Sequence, residues 1–161
     1  MNPCPCWYLT DPDKECQCKP NQIKNYSSRL SWPLLDRIDI FIEVPKVKTN
    51  KFKSWDNYQW QETSLQIQKR VSNAKSIQIK RFSWTSITSN SEMTTKEINK
   101  YCFLEKDTES ILKQAVNTMN LSARAYYRIL KLARTIADLD AITNIETKHI
   151  LEALRFRKKE D

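Results

Sequence analysis

Two hydrophobic periodicities divide the chain. Over residues 38–44, isoleucine and valine alternate with other residues until Pro45, which is the two-residue period of a β-strand. Beyond residue 62 the apolar positions recur at the spacing of amphipathic helices. Because a lone strand is not stable, the pattern predicts the end of a larger sheet followed by a helical bundle.

Two stretches of the chain, ahead of the clearest helix-capping residues, have apolar residues at helical spacing. Residues 20–30 are polar and helix-compatible, with Ile23, Tyr26 and Leu30 on one face. A longer apolar stripe lies beyond residue 62, and its members are Ile67, Val71, Ala74 and Ile77. Both stretches are predicted to be helices.

Capping residues predict where later helices begin. Thr94 and Glu97 have the spacing of a capping box for a helix ending near Cys102. Asp107 is predicted to cap the next helix, and Ser122 the strongest one, which ends at about residue 139. The last helix carries Ile150, Leu151, Ala153 and Leu154.

The elements imply three regions. Residues 1–45 form the end of an α/β layer, residues 46–61 have no periodicity and are predicted to be a linker, and residues 62–161 form a helical domain. The predicted fold is an α/β remnant followed by an all-α bundle, mostly α overall.

Charge and length narrow the class of protein. The 161 residues are enough for one core of ordinary size. The net charge of +8 suits an acidic partner such as nucleic acid or nucleotide phosphate, although a solvated basic surface is the alternative. The sequence shows neither a membrane-length apolar run nor a leader pattern, which predicts a cytoplasmic protein without membrane contact.

Four cysteines form two C-x-C pairs near the start of the chain. Cys4 and Cys6 make the first pair, and Cys16 and Cys18 the second. Paired thiolates joined by a loop suit a tetrahedral soft-ligand site, for which zinc is the usual metal. The alternative is a set of structural cysteines, reduced or disulfide-linked, with disulfides disfavoured in a cytosol.

The other reactive side chains suggest no familiar catalytic set. Cys102 and His149 are predicted to be packing residues, and there is no glycine-rich phosphate loop. Arg37 precedes the predicted strand, and Arg124 lies in the first turn of the best helix, near a terminus that attracts anions. An arginine fork suits phosphate oxygens, but a surface salt bridge is the alternative for each residue.

Several motifs together resemble the C-terminal part of the magnesium-chelatase-like AAA+ ATPases of the YifB/ComM family. They cover nearly the whole chain except the linker. The matching segments are "MNPCPC" at 1–6, "DPDKEC.C" at 11–18, "RLS.PLLDRIDI" at 29–40, "LSARAY.RILK.ARTIADL" at 121–139 and "HI.EAL" at 149–154.

The resemblance implies a role for individual residues. Asn2 corresponds to the sensor-1 asparagine that positions water near the γ-phosphate, at the end of a core strand. Arg37 corresponds to the arginine finger that reaches the nucleotide of the adjacent subunit, and Arg124 to the sensor-2 arginine of the helical lid. Such arginines neutralise charge in the phosphoryl-transfer transition state.

The resemblance also implies what the whole protein does. It would be a ring-forming, hexameric ATPase that uses ATP and Mg²⁺ and acts on DNA in competence-related branch migration. The family's phosphate-binding loop and Mg²⁺-binding acidic strand precede the matched segments, so Met1 is predicted to be an internal methionine and this chain to be inactive alone. The alternative is a stand-alone basic, cysteine-containing module that binds nucleic acid or protein without catalysis.

The absence of glycine is abnormal, because average usage near 7% predicts about eleven. Trp7, Trp32 and Trp84 occupy positions where the family has glycine, and Asn120 replaces another at a helix end that favours the left-handed conformation. Some bacteria read UGA as glycine, and a translation that reads UGA as tryptophan would print Trp there. These three residues are therefore predicted to be glycines, at exposed turns with a φ unfavourable for a side chain bearing Cβ.

The alternative is that these are genuine aromatic substitutions that pack or bind nucleic-acid bases. Trp55 and Trp60 lie in the linker, where no family position can be matched to them, and stay undecided.

Overall fold

The computed structural model describes residues 2–44 and 62–157, and these form two compact units. The described part of the first unit is residues 2–38 with 43–44, and that of the second is residues 39–42 with 62–157. The predicted linker, residues 46–61 with Trp55 and Trp60, lies wholly outside the described residues.

The first unit consists of a loop and two helices. The loop runs to residue 19, after which α1 spans Pro20–Ser27 and α2 spans Trp32–Leu35. Helix α1 lies within the predicted helical stretch and begins with proline, whose missing N–H costs nothing there. The backbone N–H of Lys19 donates to the side chain of Gln22 at 2.9 Å, which ties the loop to the first turn.

The predicted strand over residues 38–44 is wrong: these residues form no strand in the structure. Ile42 is 68% exposed and Val44 is 84% exposed, so no sheet covers the alternating apolar side chains. The physical reason is that a strand needs a hydrogen-bonding neighbour, and the described residues supply none. One backbone bond, from Phe41 N–H to the Phe156 carbonyl at 2.8 Å, holds this segment within the second unit.

The second unit is helical, as predicted. Its elements are α3 (Ser64–Arg81), a 3₁₀ turn (Asn90–Glu92), α4 (Thr95–Tyr101), α5 (Lys106–Thr118), α6 (Ala123–Leu139) and α7 (Thr147–Arg155). None of the described helices has the length and apolar composition that would cross a membrane.

Local capping chemistry confirms two of the three predicted starts. Thr94 and Glu97 form the capping box of α4, with the Thr94 N–H donating to the Glu97 carboxylate at 2.9 Å. The Ser122 hydroxyl accepts the N–H of Ala125 at 3.1 Å and caps α6. The prediction for Asp107 is wrong, because the N-cap of α5 is Glu105, two residues earlier. Asp107 lies in the first turn instead, where its charge favours the helix dipole.

Helix α6 is the centre of the core. It packs against α3, α4 and α7. Ile129 and Ala133 on α6 and Ile150 and Ala153 on α7 are almost completely buried. Burying a side chain as large as isoleucine contributes about 1.5 to 3 kcal/mol, so this helix pair is a main source of the unit's stability.

The apolar stripe predicted for α3 is only partly buried. Ala74 is buried and Ile77 is half-buried, but Ile67 and Val71 nearer the start of the helix are exposed. The C-terminal half of α3 therefore makes the contact with α6, and its N-terminal half projects beyond the core.

A buried ionic network joins α3 to α6. The carboxylate of Asp138 accepts hydrogen bonds from Arg81 at 2.7 Å, from Asn90 Nδ2 at 2.8 Å and from Arg134 Nε at 3.1 Å. Arg134 also donates to the carbonyls of residues 142 and 143, just beyond α6. Burial alone would raise the pKa of Asp138. The hydrogen bonds from Arg81 and Asn90 outweigh that effect, so the net result is a lowered pKa.

The backbone at the predicted glycine positions gives a mixed result. Among the described residues, positive φ occurs at Trp7 (74°), Asn120 (47°) and Ala141 (56°). Trp7 is also 67% exposed, so both expectations for it are confirmed, and so is the left-handed conformation of Asn120.

Trp84 and Trp32 do not share that backbone. Trp84 lies in an exposed turn after α3, as predicted, but without a positive φ. Trp32 begins α2, where the backbone is right-handed, so the φ expectation is wrong there too. The predicted exposure of the Trp32 side chain falls outside what the structure describes.

Candidate functional site

The four cysteines of the first unit converge. Cys4 is completely buried, and its sulfur lies 3.3 Å from Cys6 Sγ and 3.7 Å from Cys16 Sγ. Cys6 Sγ lies 3.5 Å from Cys16 Sγ. With Cys18 included, all four sulfurs lie within 4.8 Å of one another.

Turns in the loop bring the sulfurs together. The Trp7 N–H donates to the Cys4 carbonyl at 3.2 Å and closes a turn around the first C-x-C pair. The left-handed Trp7 then directs the chain so that the Tyr8 N–H hydrogen-bonds to Cys6 Sγ. That bond is the main reason why the pKa of Cys6 falls to about 6.

The predicted sensor-1 and finger residues both lie in this unit. Asn2 is exposed in the loop, two residues before Cys4. Arg37 is exposed in a turn after α2, where its backbone N–H donates to the Leu34 carbonyl at 3.0 Å and its guanidinium to the Pro33 carbonyl at 3.4 Å. The predicted strand at whose mouth Arg37 was expected is not formed.

Arg124 lies in the second unit, at the start of α6. It lines a cleft of about 600 Å³ together with Arg128 and Lys131. These three cations lie on successive turns of one helix face, and we refer to this volume as the basic cleft. Its volume is in the range of small-molecule sites.

The cations of the basic cleft are positioned by neighbouring elements. Arg128 pairs with Asp39 at 2.6 Å, and Lys131 Nζ donates to the Ser91 carbonyl at 2.8 Å. Arg128 and Lys131 were not singled out from the sequence, although their spacing from Arg124 in "ARAYYRILK" is that of one helix face.

The two remaining candidates are packing residues, as predicted. Cys102 is buried, and burial raises its pKa to about 11, which makes it an unreactive thiol. His149 is fully buried in α7. Its Nδ1 accepts the N–H of Glu146 at 2.9 Å, and its Nε2 lies 3.3 Å from the Asp140 carboxylate.

Both halves of the chain match one protein family. Residues 1–52 match "Magnesium chelatase, subunit ChlI", and residues 61–157 match "Magnesium chelatase, subunit ChlI C-terminal". The boundary between the matches falls in the predicted linker.

Individual relatives agree with the family match. The competence protein ComM of Haemophilus influenzae is 38% identical over 98% of this chain, and the YifB proteins of Salmonella typhimurium and Escherichia coli are 34% and 33% identical over the same share. In each case the chain spans 29% of the relative's length. Because the C-terminal family covers more than half of the chain, the chain belongs to the magnesium chelatase-like family to which ComM and YifB are related.

Proposed function

We propose that this chain is the C-terminal portion of a ring-forming AAA+ ATPase. Residues 1–45 would be the end of the AAA+ core, and residues 62–161 its helical lid. Asn2 would act as sensor 1, Arg37 as an arginine finger for the adjacent subunit, and Arg124 as sensor 2.

The basic cleft is the observation that supports this proposal most strongly. A lid arginine must reach the γ-phosphate from a helix that can move as a body. Two observations support this role for Arg124: it lies in the first turn of the long, well-packed α6, and it lines a cleft with two further cations. Positive groups at a helix N-terminus favour an anion, and the helix dipole adds to this attraction.

The ligand of the whole protein would be ATP with Mg²⁺. Arg124 would neutralise phosphate charge, and a finger supplied by the neighbouring subunit can raise turnover by about 10³ to 10⁵. Since Arg37 is exposed, its side chain is accessible to a neighbouring subunit. A homo-oligomeric ring, a hexamer in this proposal, would supply that neighbour.

Mutation of Arg124 tests the lid assignment. In the longer protein that contains this chain, Arg124→Ala should weaken ATP binding and slow hydrolysis, because a phosphate contact is lost. Arg124→Lys should restore part of the binding, since the charge returns without the paired donors. The control is Lys113→Ala, because Lys113 is an exposed cation of α5 paired with Glu109 at 2.7 Å.

Isothermal titration calorimetry with a non-hydrolysable ATP analogue would measure the affinity, and a steady-state ATPase assay would measure the hydrolysis rate. Equal affinity and equal turnover in Arg124→Ala and Lys113→Ala would contradict the sensor-2 role.

DNA is the proposed substrate of the motor. The net charge of +8 favours an acidic partner, and the ComM relative is named a competence protein. The activity would be branch migration, in the cytoplasm. Stimulation of the ATPase by branched DNA, steeply weakened by salt, would support this substrate.

The alternative is a stand-alone basic module that binds nucleic acid or a protein without catalysis. The coding sequence upstream of codon 1 discriminates between the two. An open frame encoding G-x-x-x-x-G-K-[ST] supports the motor, because that loop holds the ATP phosphates. A stop codon and a ribosome-binding site directly upstream of codon 1 would support the stand-alone module.

A further inference from the structure

The four converging cysteines have no part in the proposed ATPase mechanism. They all carry free thiols in the structure, and the S–S contacts of 3.3 to 3.7 Å are far longer than a disulfide bond of about 2.05 Å. The cluster is therefore not a set of disulfides, and its chemistry needs another explanation.

The sulfur positions match a tetrahedral metal site. Zn–S bonds are about 2.3 Å long, so the sulfurs of a regular ZnS₄ tetrahedron lie about 3.8 Å apart. The three distances among Cys4, Cys6 and Cys16 are 3.3, 3.5 and 3.7 Å, and Cys18 completes the set within 4.8 Å. A small outward shift among Cys4, Cys6 and Cys16 and a small inward shift of Cys18 would place all four sulfurs at the spacing of a zinc tetrathiolate.

The described residues of the first unit form almost no core of their own. Among its described residues, Cys4 is the one that is buried, and α1 buries none. A segment of about 40 residues rarely stays folded on so little apolar contact, and metals or disulfides commonly replace the missing core. The buried residue is itself a member of the sulfur cluster, so the order of the loop depends on what holds the sulfurs together.

We propose that Cys4, Cys6, Cys16 and Cys18 bind one Zn²⁺ in a closed, structural tetrathiolate site. Four soft sulfur ligands favour zinc, and a full set of four protein ligands leaves no position for a substrate. Binding replaces thiol protons with zinc–sulfur bonds and releases those protons to solvent. The site fixes the loop that begins with Asn2, and it does not depend on the ATPase assignment.

Metal analysis of the untagged 161-residue chain tests this proposal. The chain is purified under reducing conditions and dialysed. Inductively coupled plasma mass spectrometry should then find about one equivalent of zinc per chain. Cys16→Ser should lose most of it. The matched control is Cys102→Ser, which changes the fifth cysteine, in the second unit, and should keep the zinc.

A second measurement uses the parent chain and needs no variant. Co²⁺ added to the metal-free parent chain should give the visible bands of a tetrahedral cobalt thiolate, and Zn²⁺ should displace them. The four cluster cysteines should react with a thiol reagent only after a chelator has removed the zinc. Their rate of reaction should differ from that of the buried Cys102.

Three results would overturn the proposal. The first is less than about half an equivalent of zinc with no cobalt spectrum. The second is equal zinc in Cys16→Ser and in the parent, and the third is stoichiometric iron in place of zinc. None of them affects the ATPase proposal, whose test is turnover.

Discussion

The substitution Asp138→Asn should strongly destabilise the helical unit. The Asp138 carboxylate is 1% exposed and holds two arginines, Arg81 from α3 and Arg134 from its own helix. The amide keeps the shape but removes the charge, which leaves two largely buried guanidinium groups without their counterion. Removing one partner of a buried ion pair costs about 3 to 5 kcal/mol.

The exposed pair Glu62–Arg70 provides the matched control. Its N–O distance is 2.6 Å, but both side chains are about half exposed, so Glu62→Gln should cost less than about 1 kcal/mol. Urea denaturation followed by far-UV circular dichroism reports on the second unit, which contains the longest of the described helices. If Asp138→Asn cost no more than Glu62→Gln, the network would not be a major source of stability.

The pH dependence gives an independent check of the same network. Because the pKa of Asp138 is lower in the folded chain than its ordinary 3.8, the unfolded state binds more protons at low pH. The stabilisation is therefore present above pH about 4 and is lost as the pH falls through the folded pKa. The stability difference between the parent and Asp138→Asn should shrink over that acidic range, measured by urea denaturation at each pH.

Three further predictions concern the backbone and the reading of the sequence. Trp7→Gly should stabilise the cysteine loop by up to about 1 kcal/mol, because glycine tolerates the left-handed φ without a Cβ clash. Amide hydrogen exchange would measure this gain. The control Trp84→Gly should show no gain, because Trp84 has no positive φ. Ser122→Ala should cost about 1 kcal/mol in urea denaturation, because α6 loses the acceptor for the Ala125 N–H. Mass spectrometry of native peptides covering residues 30–37 should find glycine at position 32, and an intact tryptophan there would contradict the reassigned-codon hypothesis.

The helices were predictable from the sequence because their signals are local. The Thr94–Glu97 box and the Ser122 cap act within one turn, and the structure contains both. The start of α5 was misplaced because Glu105 and Asp107 lie so close together that either could precede the helix. The convergence of the cysteines was also predictable, since two short-spaced pairs joined by one loop have few other arrangements.

The missed features depend on distant residues. Arg81 and Asp138 are 57 positions apart, and no local pattern indicates that they meet. The strand over residues 38–44 has the right alternation, but alternation only predicts a surface that a sheet would cover, and the described residues contain no neighbouring strand.

Turnover by an Arg37 variant tests the central claim most directly. In the longer protein that contains this chain, Arg37→Ala should lower ATP hydrolysis by about 10³-fold or more while ATP affinity changes little, because a finger acts on the neighbour's transition state. Arg29→Ala, at an exposed arginine of the same unit, should leave both unchanged. Hydrolysis by Arg37→Ala at the parental rate would contradict the assignment of this chain to the catalytic ring.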